Sequence, residues 1–167
     1  MAIEQFEQWV RQSFAYLFTD YGFEVVSRAV KPGKPGQSLQ LVLQAADGLI
    51  LAYDDDGEAN LLLGPRSAPL EGVFRNTGQW FYIRSVIDFF ERSSIEELVQ
   101  RSLGATRTFT PHDEQLADLG ARFQPYCAQA LTLFRAENFP GAREELTAYE
   151  EAHRAAFRVA WERARKK

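Results

Sequence analysis

Few side chains in this chain are of types that do chemistry, and their spacing decides what each can offer. The densest group is AYDDDGEANLLLGP, Ala52 to Pro65, where Asp54, Asp55, Asp56 and Glu58 surround a glycine. Carboxylates this close suggest a calcium loop. Such a loop needs glycine at its sixth position and glutamate at its twelfth. Counting from Asp54, those positions hold Ala59 and Pro65, so the pattern fails. Asp and Gly between two apolar runs also suit the tight turn of a hairpin, whose backbone angles they adopt cheaply. The expectation is an acidic hairpin tip with no metal.

The two histidines are His112 and His153. His112 precedes Asp113 and Glu114 in what reads as the first turn of a helix, where negative charge complements the helix dipole. Glu150 and His153 have the Glu-x-x-His spacing of di-iron bundles. That chemistry needs a second copy and two more carboxylates, and no second copy exists. A solvated helix face is the expectation. The single cysteine, Cys127, falls on an apolar stripe and reads as a buried structural thiol. One cysteine excludes an intrachain disulfide and a cysteine-based zinc site. No nucleophile elbow, phosphate-cradling glycine loop or His-Glu-x-x-His motif is present. The sequence therefore offers no catalytic residue, no metal ligand set and no cofactor site.

Composition narrows the class. In 167 residues, 46% are apolar and 13 are Phe, enough for a sizeable core. A net charge of −4 argues against general nucleic-acid binding, which needs a concentrated surplus of Lys and Arg. The basic end, Arg154, Arg158, Arg163, Arg165, Lys166 and Lys167, suits a helix C-terminus. The N-terminus lacks a signal-peptide pattern and no apolar run reaches membrane-spanning length, so the expectation is a cytoplasmic protein with no membrane partner.

The elements that position these residues can be read from periodicity. Residues 2 to 19 carry Ile3, Phe6, Val10, Phe14, Leu17 and Phe18 on one helical face, and Gly22 is placed to end that helix. Phe23 to Val30 reads as a strand, KPGKPG as a turn, and the stretches around Leu39–Leu43, Leu49–Tyr53 and Ala59–Leu63 as three more strands. Asp47-Gly48 suits a tight hairpin. Residues 65 to 79 read as an irregular connection with a short strand near Val73-Phe74. Trp80 to Glu91 reads as a helix, and Ser94 with Glu97 as a capping box opening a short helix that closes at Gly104. Thr110 and Pro111 are suited to cap and start a long helix, split by Pro125. A last helix runs from Pro140 to Arg165.

The expected fold is α+β: an antiparallel meander of about four strands with the N-terminal helix packed on it and a C-terminal helical hairpin. Residues 1–104 form the sheet domain and 105–167 the hairpin, packed together as one unit. The helix ending in Asp20-Tyr21-Gly22-Phe23, followed by strands with acidic glycine turns, resembles small bacterial α+β proteins of immunity-protein type, which bind and block a cognate toxin. The resemblance assigns no residue. Cys127 to His153, with Ala142, Leu146 and Glu151-Ala152 after Asn138-Phe139, resembles a single tetratricopeptide-type hairpin, departing from it at Tyr149. The functional expectation is a non-enzymatic protein-binding module. Its contact surface would be Asp54, Asp55, Asp56 and Glu58, and its protein partner basic. The rival expectations are an enzyme with a dispersed site and nucleic-acid binding through the basic tail.

Overall fold

A computed structural model describes residues 1–33, 36–55, 58–73, 78–94, 96–97 and 111–164. It shows an α+β protein built on a five-stranded sheet in the order β1-β2-β3-β4-β5, every neighbour antiparallel. The strands are β1 (Glu24–Gly33), β2 (Gly36–Gln44), β3 (Leu49–Asp55), β4 (Glu58–Gly64) and β5 (Phe81–Tyr82). β5 replaces the first turn of the helix expected from Trp80. Phe81 and Tyr82 alternate between the two faces of the sheet, so they pair with Leu63 and Leu62.

The N-terminal apolar stripe forms two helices rather than one: α1 (Ile3–Ser13) and α2 (Ala15–Thr19). Phe14 leaves helical geometry at φ −122° and ψ 38° yet stays fully buried. Gly22 takes the left-handed conformation expected of it, at φ 66°. Val26 disrupts the register of β1 against β2, and the strand continues through Pro32 and Gly33. The first Pro-Gly pair is thus in the strand rather than in the turn; β1 is the sheet edge, where proline's missing N–H is tolerated. Lys34 and Pro35 lie outside the described residues. Asp47-Gly48 makes the expected turn, with the Ala45 N–H bonded to the Gly48 carbonyl at 3.1 Å.

Both faces of β3 and β4 are buried. One face meets the helices through Ile50, Ala52, Leu61 and Leu63. The other, with Leu51, Tyr53 and Leu62, is covered by Ala68, Val73 and Trp80 from the irregular connection. Val73 lies in a helical turn rather than a strand, and Phe74 is outside the described residues. The Trp80 indole N–H bonds the Pro69 carbonyl at 2.9 Å. A side chain at Gly64 would sit 2.9 Å from that indole ring, so glycine there lets Trp80 close over the strand.

α3 (Ile83–Glu91) follows β5. The capping box forms as read: Ser94 N–H bonds Glu97 Oε2 at 2.9 Å and Glu97 N–H bonds Ser94 Oγ at 3.2 Å. The rest of its helix, to Gly104, lies outside the described residues. α4 (His112–Phe123) starts one residue later than expected, with Pro111 as its cap; Thr110 is outside the described residues. Pro125 splits the stripe as expected. A 3-10 turn at Gln124–Tyr126 separates α4 from α5 (Cys127–Phe134), and α6 (Phe139–Ala164) returns along it. One apolar cluster joins Phe6, Val10 and Leu17 to Leu116, Phe123, Leu131, Phe134 and Leu146, so the helical tail and the sheet share a core.

Two contacts fix how the helices meet. α1 and α4 touch backbone to backbone: a Cβ at Gly120 would lie 2.1 Å from the Ser13 carbonyl oxygen. The Tyr16 hydroxyl donates to the Gly120 carbonyl at 3.0 Å across the same crossing. α1 is also clasped to β1. The Arg28 guanidinium bonds both Glu7 oxygens, at 2.6 and 2.9 Å, and holds that carboxyl below the usual range.

α3 ends on Arg92 at φ 50°, the one non-glycine residue with positive φ among those described. Its N–H and that of Ser93 bond the carbonyls of Phe89 and Asp88 at 3.3 and 3.2 Å. The closure is ordinary for a helix end; a side chain with a Cβ in it is not.

Gly120→Ala is expected to destabilise the fold by at least the roughly 1–3 kcal/mol of an overpacked site, since its neighbour is backbone. Gly141→Ala, in α6 with nothing within 4 Å of the new methyl, should be neutral or stabilise by up to about 1 kcal/mol. Urea unfolding of both variants checks the pair. In the same assay Arg92→Gly should stabilise by about 0.5–1 kcal/mol, by releasing the left-handed Cβ.

Candidate functional site

The acidic stretch forms a hairpin, β3 to β4, with Asp55 opposite Glu58. Asp56 and Gly57 lie outside the described residues. Asp54 departs from the expected exposed tip. It shares a face with Ile50 and Ala52, the face the helices cover, and is only 5% exposed. Its Oδ2 lies 2.5 Å from Nδ1 of His112, the first residue of α4. Leu116, Leu119 and Phe123 draw α4 into the core at helical spacing. The next turn is tied down too: the Ala59 N–H donates to the Gln115 side-chain carbonyl at 3.2 Å.

Burial pushes the Asp54 carboxyl above the ordinary carboxylate range. The facing His112 and the chain's N-terminal ammonium oppose that shift, and neighbouring Asp55 adds to it. A carboxylate on Nδ1 fixes an imidazole's tautomer and orientation, as in the orienting half of a catalytic triad. Here Nε2 is buried as well, so a substrate has no route to it. The pair acts as a clamp between the sheet and α4.

That clamp has an electrostatic consequence. It brings the first turn of α4, which carries exposed Asp113 and Glu114, to the end of the hairpin that carries exposed Asp55 and Glu58. The acidic surface is a rim built on two elements rather than one loop, and Asp54 lies beneath it. The sequence held a signal for the inward turn of Asp54, the alternation Ile50-Ala52-Asp54. It held none for the pairing with His112, which depends on the docking of α4.

The other candidates are placed as follows. Cys127 is fully buried, and desolvation pushes its thiol up to about 12, far from a reactive thiolate. Glu150 and His153 were expected on a solvated face; α6 instead half-buries both. Burial raises the Glu150 carboxyl, opposed by a hydrogen bond with Ser85 and by Arg154, 3.6 Å away. The His153 ring stacks on Tyr149, centroids 6.4 Å apart. Among the described residues no group of three or more His, Cys, Asp or Glu is placed to hold a metal ion. No described helix is long and apolar enough to cross a membrane. Of the basic end, Arg154 pairs with Glu150 and Arg158 is exposed, while Arg165, Lys166 and Lys167 are outside the described residues. Compared with known protein families, with curated proteins and with solved structures, the chain matches none.

Asp54→Ala is expected to cost about 1–3 kcal/mol, the penalty for leaving a buried polar partner unmatched. An exposed turn residue would cost within about 0.5 kcal/mol. A double-mutant cycle with His112→Ala, read by chemical denaturation, should give a coupling above about 0.5 kcal/mol.

Proposed function

We propose that the protein is a non-enzymatic module that binds a protein partner of basic charge through the rim of Asp55, Glu58, Asp113 and Glu114. The observation that supports this reading is the clamp. The buried contact between Asp54 and His112 and a backbone hydrogen bond hold two short acidic segments together, on a chain already carrying a net charge of −4. Concentrated charge on rigid elements accelerates encounter with an oppositely charged surface and penalises wrong partners. An immunity-type role, in which the partner is a basic toxin, is the form of this reading that the sequence resemblance suggests.

The test is a pull-down with the native chain, followed by association kinetics with the captured partner. The variant Asp55→Asn/Glu58→Gln/Asp113→Asn/Glu114→Gln should associate about tenfold more slowly, with a flatter salt dependence. Its unfolding midpoint should stay close to that of the native chain. A partner whose on-rate ignores these four changes sinks the reading.

A further inference from the structure

A cleft of about 690 Å³ opens where the end of α3 meets α5 and α6. That volume is in the range of small-molecule sites. Phe89, Phe90 and Tyr149 give it an aromatic side, and Arg92, Ser93, Gln129 and Glu145 line the rest. Phe89 and Phe90 meet edge to face at 5.6 Å, and Tyr149 closes on Phe89 at 5.7 Å. Phe90 is held from behind by Tyr126, stacked at 5.7 Å with the planes only 4° apart. Each of these rings thus packs against another ring of the protein.

Arg92 lines the same cleft. It is exposed, and its guanidinium has no ion-pair or hydrogen-bond partner among the described residues, whereas Arg122, close by in the fold, is engaged by Asp88 and Glu91. Arg92 also occupies the strained left-handed position that glycine fills at lower cost. A residue kept at such a position against its backbone preference points to a use for its side chain. A planar guanidinium beside aromatic rings recognises an anion carried on an aromatic ring: the fork pairs with two oxygens and the rings cover the apolar body. Glu145 lines the cleft too. Its negative charge disfavours a dianion such as a phosphate monoester more than a singly charged carboxylate.

We propose that this cleft is a binding site for small aromatic carboxylates, with Arg92 taking the carboxylate and Phe89, Phe90 and Tyr149 the ring. The site is separate from the acidic rim, and its test does not depend on that reading. Phenylacetate serves as the probe, with phenylacetamide lacking the charge and acetate lacking the ring, each titrated into the native chain and followed by NMR. Phenylacetate should shift the signals of Phe89, Arg92 and Tyr149 saturably, with a dissociation constant on the order of a millimolar. The amide and acetate should each bind at least about tenfold more weakly, as should phenylacetate to Arg92→Gln.

Arg92→Gly separates a binding role from a structural one, because it should gain thermal stability and lose phenylacetate together. Undiminished binding by either Arg92 variant would overturn the assignment, as would equal binding of phenylacetamide, or shifts confined to other parts of the molecule. A peptide ending in phenylalanine that bound more than about tenfold tighter than phenylacetate would overturn the small-molecule assignment in favour of a chain terminus.

Discussion

The crossing of α1 and α4 at Ser13 and Gly120 is the contact on which the remaining geometry rests. Where a Cβ would fall 2.1 Å from a carbonyl oxygen, only glycine allows the two backbones to meet. That approach sets the depth at which α4 lies over the sheet. From it follow the placement of Leu116 and Phe123 in the core, the reach of His112 to Asp54 and that of Gln115 to Ala59. A helix held farther out by one methyl group would keep its apolar stripe covered only in part, and the polar contacts at its first turn would lengthen together. Packing in a protein interior passes such strain on because it leaves little free volume to absorb it.

The sheet makes its own demand. Its two central strands are covered on both sides, by helices and by a connection with little regular structure. Polar groups entering that layer must carry partners with them. Asp54 does so through His112, and the Trp80 N–H through the Pro69 carbonyl. The acidic surface near Asp54 is thus a by-product of partnering a buried carboxyl: His112, which pairs with Asp54, brings its own acidic neighbours, Asp113 and Glu114, to the surface near the hairpin.

Local chemistry made much of the architecture legible. The meander followed from alternation and from turn residues such as Asp47-Gly48, the capping box from Ser94 and Glu97, and the break in the long helix from Pro125. The misreadings have a common origin. Phe14 fits a helical stripe but leaves helical geometry while fully buried; Phe81 and Tyr82 fit a helix start but pair with β4; Glu150 looks solvated until Ser85 of α3 packs against it. In each case tertiary contact outweighed local preference. The candidate site divides the same way. Asp55 and Glu58 are exposed as their turn chemistry suggests, while the clamp beneath them joins residues whose nearness depends on the whole core.

The irregular outer strand also bears on how the molecule behaves in a crowd. One edge of β1, ten residues long, has no neighbouring strand among the described residues, and Val26 and Val30 stand half exposed on it. A flat open edge of that length would be a template on which strand after strand could pair without end. The displaced register at Val26, the missing N–H of Pro32 and the charge of Lys31 each spoil the template at a different point along its length. The protein can therefore keep an open-ended sheet and still resist growing into a fibre.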